Sequence, residues 1–144
     1  MESFKNAAKR SILIWVLFIP LAILNGALRE SFLIPRIGEG GAELVSALIL
    51  CSLIFIITLI LIPRIGKVEK NEEKTYWKIG ALWVVLTVVF ETVLGLAMGY
   101  SFSEVLSAYN IMAGNLWLLV VLFIGIAPWT AAKLRNRMSD SKRT

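Results

Sequence analysis

Glu91 interrupts an otherwise apolar run, residues 79–98, that is long enough to cross a membrane. A second such run, residues 11–33, carries Asn25, Arg29 and Glu30 toward its far end. An unpaired charge at mid-span costs about 2.5–3.5 kcal/mol, so such groups face a protein interior or a water-filled cavity and mark a candidate functional site. Glu91 can exist there as the neutral acid, as the ion partner of Arg29, or as a carboxylate in a hydrated cavity. Pairing with Arg29 is expected unless water enters. A purely internal Arg29–Glu91 bridge that fixes helix register is the competing structural role. Glu30, one position beyond Arg29, is expected to face the outer headgroups or a loop.

Helix rise places further polar residues at the same level. Counted from the basic ends of their helices, Asn25 lies at about 21 Å, Arg29 at about 27 Å and Glu91 at about 18 Å, with Asn115 at about 21 Å and Asn110 at about 28 Å. Facing agrees with depth. Ala22, Asn25, Gly26 and Arg29 recur at i, i+3, i+4, i+7 on one side of the first run, and Thr87, Glu91 and Gly95 share a side of the third. Ser107, Asn110, Gly114 and Trp117 share a side of the fourth if that helix is continuous, with Asn115 turned toward the second run or another subunit. The candidate ligand-binding set is therefore Asn25, Arg29, Glu91, Tyr109, Asn110, Asn115 and Trp117. Glu91 and Arg29 would form the charged centre, the asparagines would supply hydrogen bonds, and Tyr109 and Trp117 would be walls. For Trp117, core packing is the competing role.

Other chemistry is excluded by residue type. The chain has no histidine, its one aspartate is Asp140 in the tail, and its one cysteine, Cys51, lies in the middle of an apolar run. That removes the Ser-His-Asp and Cys-His constellations and His-based metal sites. No catalytic residue, metal or cofactor is expected. Acid–base chemistry through Glu91 and Tyr109 would lack the His or paired carboxylates such catalysis recruits, so enzyme activity is the less favoured class.

The elements that must position these residues follow from hydropathy. Of 144 residues, 58% are hydrophobic, against about 45–50% in a soluble domain. Four windows, 11–33, 42–62, 79–99 and 103–132, each offer roughly the 20 residues a helix needs to span about 30 Å of hydrocarbon. Helices satisfy their own backbone in lipid, and the alternation of a β-barrel is missing. The first window is too long for a signal peptide and shows no small-x-small cleavage site before Arg29. The expected fold is an all-α integral membrane protein: a four-transmembrane-helix bundle of two antiparallel hairpins, one transmembrane domain over 1–144.

Charge orients it. Thirteen of the fifteen basic residues lie before the first window, in the connector 63–78 or after the fourth window; the exceptions are Arg29 and Arg36. The positive-inside rule then places both termini and that connector in the cytoplasm, for a multi-pass protein of the cell (inner or plasma) membrane. The basic tail is read as a topology signal that also meets anionic lipid headgroups, with no nucleic-acid partner. Short outer connectors, with Pro35, Gly38, Gly40 and Gly41 in one and residues 100–103 in the other, force the hairpins, and Ser103 is a candidate cap for the fourth helix.

Pro20 is expected to kink the first helix. Ala22/Gly26 and Gly95/Gly99 are candidate points of close helix contact. Trp77 and Trp129 read as interfacial anchors, with Trp15 and Trp83 about one turn deeper. Glu43-Leu44-Val45-Ser46-Ala47 and Glu104-Val105-Leu106-Ser107-Ala108 suggest a duplicated hairpin with Glu in the first turn of each second helix, although membrane helices share a small alphabet.

Leu24-Asn25-Gly26-Ala27-Leu28-Arg29-Glu30, then Gly80-Ala81-Leu82-Trp83 with Thr87 and Phe90-Glu91, then Tyr109-Asn110, Gly114-Asn115-Leu116-Trp117 and Ala127-Pro128 form a pattern over most of the chain. It resembles small four-span bacterial and archaeal membrane proteins of uncharacterised function. The resemblance implies four helices and the same polar residues, and it implies no activity. The small multidrug transporters, with their essential Glu in the first span, and the CxxC quinone reductases do not share the pattern. The functional expectation is binding or transport of a small solute or ion, with proton coupling through Glu91 and a homodimer completing the pathway. The alternative is a structural or accessory subunit whose polar layer only fixes helix packing.

Overall fold

In lipid a backbone N–H or C=O finds no partner but another backbone group, so apolar sequence of this length folds as helix. The computed structural model describes residues 2–66 and 73–142, and among these there is no strand. Lys67, Glu69, Lys70 and Glu72 of the connector, and Arg143 of the tail, lie outside the described residues. Helix α1 spans Glu2–Leu28, followed by a π-helical turn, Arg29–Leu33; α2 spans Ile34–Ile65 and α3 Glu73–Ala97. A short α4, Phe102–Ser107, and a 3₁₀ turn, Ile111–Ala113, precede α5, Trp117–Ser141.

Three helical stretches are long and apolar enough to cross a membrane: Phe4–Ile65, Glu73–Ala97 and Trp117–Ser141. The first has 62 residues. Straight, it would measure about 93 Å, three times a bilayer core. It is not straight. Gly38 holds φ 75° and ψ 171°, a left-handed value that glycine adopts freely, and helix continues on both sides of it. Beyond Gly38 the chain returns alongside α1, so that the Arg10 guanidinium donates to the Arg64 carbonyl at 3.2 Å. The expected connector after Pro35 thus shrinks to a single glycine. Pro35 itself lies in the first turn of α2, where its missing N–H leaves no bond unmade.

Long-range contacts give the remaining directions. Trp83 reaches Ser11 and Trp15 reaches Thr87, so α1 and α3 advance together and are parallel. Leu116 meets Glu43 and Arg135 meets Leu59, so α2 and α5 are parallel too. Trp77 stacks on Trp129 and Gly80 faces Gly125, making α3 and α5 antiparallel. The buried face of α2 is Ala42, Ser46, Leu50, Ile54, Thr58 and Ile62.

The tightest layer lies nearer the end of the bundle that holds both termini. Trp83 is wholly buried, its indole N–H donates to the Ser11 carbonyl at 3.0 Å, and its ring meets Phe18 edge-on at 5.0 Å. Trp15 returns the contact by donating to Thr87 Oγ1 at 2.9 Å. These two tryptophans, expected about one turn deeper than the interfacial pair, are core residues that tie α1 to α3. The closest backbone approach is also here: a Cβ on Gly80 would overlap the Gly125 carbonyl. Of the glycines expected to make close helix contacts, Gly95 does and Gly26 does not. Gly26 faces open space and Gly95 packs on the Val105 side chain of α4. Leu13, Leu24, Leu48, Val85 and Val93 point outward, an apolar surface of the kind lipid covers.

Helix α1 continues through Pro20, whose missing N–H leaves the Val16 carbonyl without its usual donor. The fourth window is not one helix from Ser103. Ser101 caps α4, accepting from Glu104 N–H while the Glu104 side chain accepts from Ser101 N–H at 2.7 Å, the reciprocal bonds of an S-x-x-E capping box. The two pentapeptides of the suggested repeat also part company. The Glu43 copy lies within α2, whereas the Glu104 copy forms α4 and the turn after it.

Candidate functional site

Between α4 and α5 the chain folds into a compact loop. Asn110 has extended backbone and its side chain accepts from Met112 N–H at 3.1 Å; Gly114 is left-handed at φ 87°. Asn115 Nδ2 donates to the Ser107 carbonyl at 2.9 Å and closes the loop. The break ends the helical periodicity assumed for Ser107, Asn110, Gly114 and Trp117. It also settles two directions: Asn110 is a local cap outside the cavity described below, and Asn115 turns into it.

That cavity has a volume of about 380 Å³ and is lined from all four long helices. Ala22, Asn25 and Gly26 line it from α1, and Arg29 from the π turn. Glu43, Ser46 and Leu50 come from α2, Phe90, Glu91 and Leu94 from α3, and Asn115, Leu116 and Trp117 from the start of α5. A second lobe of about 390 Å³ shares Glu91 and Trp117 with the first and adds Tyr109 and Glu104. Six of the seven expected residues therefore come together around Glu91, in two lobes. Asn110 does not.

The ion pairing differs from expectation. Arg29 does not pair with Glu91. Its guanidinium lies 3.3 Å from the Glu30 carboxylate and 4.0 Å from Glu43. The π-helical turn begins at Arg29, and the Ile34 N–H bonds back to the Arg29 carbonyl across five residues. The widened turn re-aims the side chains after Arg29; Arg29 itself keeps the face it shares with Asn25 and is held there by the carboxylates of Glu30 and Glu43.

Glu43 is the residue sequence reasoning misjudged. It was read as complementing the start of its own helix. Instead its carboxylate accepts the Leu116 N–H at 3.0 Å and so caps α5, a helix start whose own N-cap residue supplies no side-chain bond. A carboxylate beside a helix N-terminus answers both the free N–H groups and the dipole there. A Glu on a buried face, four residues from Ala47 and seven from Leu50, was the available signal.

Glu91 is half-buried and forms no hydrogen bond or ion pair with the described residues. Around it several buried polar atoms are also unpartnered: Asn25 Oδ1, the Tyr109 hydroxyl and Trp117 Nε1. Each such atom left unbonded costs about 1–3 kcal/mol, and folded proteins keep few of them. The Tyr109 hydroxyl and the Trp117 indole face each other, so the Glu91 carboxylate and the Asn25 amide are what the cavity leaves unused. Among the described residues, no three His, Cys, Asp or Glu side chains gather as a metal-ion cluster. No protein-family description matches this chain, and no curated protein or solved structure matches it.

Proposed function

We propose that the chain is a four-span membrane protein, with both termini and the basic connector in the cytoplasm, whose cavity lies in the outer half of the bilayer and binds a small polar solute or ion for transport. The reversal at Gly38 supports four passes, because it divides the 62-residue stretch into two antiparallel helices. The distribution of Lys and Arg supports the orientation. The cavity then lies between the spans at the end away from the basic residues.

The observation that carries the binding reading is Glu91. It lines a cavity together with Asn25, yet neither its carboxylate nor the Asn25 oxygen has a partner. A group retained only to lock the bundle would be bonded. Four helices are few for a complete pathway, so a homodimer is part of the proposal. The test is a ligand and lipid thermal-shift screen on purified protein, run beside Glu91→Gln. A solute that stabilises the wild type and not the variant supports the reading. If no solute shifts the wild type and Glu91→Gln leaves flux into liposomes unchanged, the reading fails.

One observation favours the structural alternative for part of this layer. Arg29, Glu43 and the start of α5 form a connected set that ties three segments together. A double-mutant cycle separates the two roles. Arg29→Ala and Glu43→Ala should be non-additive in stability by up to about 1 kcal/mol, and Arg29→Ala with Glu91→Ala additive, because only the first pair interacts.

A further inference from the structure

We infer that the cavity is built for a small organic ammonium ion, with Glu91 as its counter-ion and Asn25 as the acceptor for its N–H groups. This names the solute class for the site above and rests on that reading.

Charge is the first argument. Two carboxylates, Glu43 and Glu91, and one guanidinium, Arg29, line the first lobe. Glu43 is engaged by Leu116 N–H at 3.0 Å and by Arg29 at 4.0 Å, and Arg29 is engaged a second time by Glu30. Glu91 is then the carboxylate left without a partner, and the lobe carries net negative charge. An anionic solute would enter against that charge, whereas a cation would neutralise it.

Bonding capacity is the second. Asn25 is only 9% exposed, and its Oδ1 accepts nothing. That oxygen is turned away from the open volume and reaches a ligand when the amide rotates, whereas the Glu91 carboxylate already asks for a ligand that donates. An ammonium group carries N–H donors and positive charge on the same atom.

The third is the wall. Phe90, Leu94, Leu50 and Trp117 give the cavity apolar and aromatic surface around those two oxygens. A hard metal ion requires some six oxygen ligands, several of them carboxylate, and Glu91 is the one carboxylate of this lobe that is not already engaged. Aromatic faces attract organic cations, and a volume of about 380 Å³ fits a small amphipathic molecule.

The experiment uses three probes of one shape: phenethylammonium, 2-phenylethanol and 3-phenylpropionate. Each is titrated calorimetrically into the purified full chain in phosphatidylcholine nanodiscs near neutral pH, with empty discs as the blank. The ammonium is expected to bind at least about tenfold more tightly than the alcohol, a difference of about 1.4 kcal/mol, and the carboxylate not to compete. Glu91→Gln should lose about tenfold or more for the ammonium. Asn25→Leu should weaken phenethylammonium more than its N-trimethyl analogue, which has no N–H to donate. An unchanged thermal transition shows that each variant folds; if Glu91→Gln does not fold, the order of the three probes on the wild type decides. Tighter binding of the alcohol or the carboxylate overturns the cation inference and leaves the solute-binding reading standing. Wild-type affinity in Glu91→Gln also overturns it. Binding of none of the three overturns it as well, and the solute reading falls with it only if the wider screen is also blank.

Discussion

The layer around Trp83 and the layer around Glu91 are built on the same helices, about two turns apart, and they treat polar groups in opposite ways. In the first, Trp15 and Trp83 each find an acceptor on the facing helix, and Gly80 and Gly125 bring two backbones into contact. In the second, Asn25 and Glu91 stand beside open volume, the Asn25 oxygen and the carboxylate without a bond, and Tyr109 and Trp117 face only each other. The contrast teaches where the stability of this bundle resides. A satisfied polar pair and a glycine contact hold helices together in lipid, where apolar burial between helices contributes little. Unsatisfied groups reduce stability and persist when the rest of the fold holds them in place, as functional sites do.

The comparison can be broken by mutation, and the largest effect should come from the closed layer. Trp83→Ala removes a wholly buried ring together with its bond to Ser11, and should lower stability by about 3–5 kcal/mol in reversible unfolding in mixed micelles. An effect below 1 kcal/mol would remove the distinction between the two layers.

Gly80→Ala is the next test. Its new Cβ would overlap the Gly125 carbonyl, so α3 and α5 must separate, at about 1–3 kcal/mol. The same change at Gly26, where a Cβ meets open space, should cost only what exposed substitutions do, within about 0.5 kcal/mol.

A matched pair sharpens the contrast further. Thr87→Val leaves the Trp15 N–H buried without its acceptor and should cost about 1–2 kcal/mol. Asn25→Leu removes an oxygen that has no donor, and should leave thermal stability unchanged or raised. Equal losses from both would mean that the Asn25 oxygen is paired in the membrane.

The smallest effect is a pH dependence at the rim. The Ser101 N–H and hydroxyl donate to the Glu104 carboxylate at 2.7 and 2.8 Å, and these bonds hold its pKa below the usual carboxylate value. A depressed folded-state value gives a contribution that is complete above the unfolded-state pKa and is lost as pH falls through the folded one. Helix α4 should therefore fray in acid, seen as faster amide exchange over Phe102–Ser107. Glu104→Gln should remove that pH step while Trp83 remains as protected as before.

Much of this was legible from the chain alone. Hydropathy marked the apolar stretches because the cost of leaving a backbone unbonded in lipid is paid residue by residue. That Asn25, Arg29, Glu91, Asn115 and Trp117 could line one cavity was legible because helix rise converts sequence spacing into height. Asn110 was misplaced because that conversion assumes an unbroken helix, and Gly114 breaks it. The S-x-x-E spacing of Ser101 and Glu104 was a readable cap signal, but Ser103 was chosen instead.

What the chain determined by itself is therefore everything local: helices long and apolar enough for a membrane, the bias of basic residues, and a costly carboxylate at position 91. Tertiary structure decided the pairings. It joined Arg29 to Glu43 and left Glu91 free, set the reversal at Gly38, and buried Trp15 and Trp83 against α3 and α1. The physical reason is rotation. A π-helical turn or one left-handed glycine re-aims every side chain beyond it, so which distant groups meet is fixed only when all the helices pack.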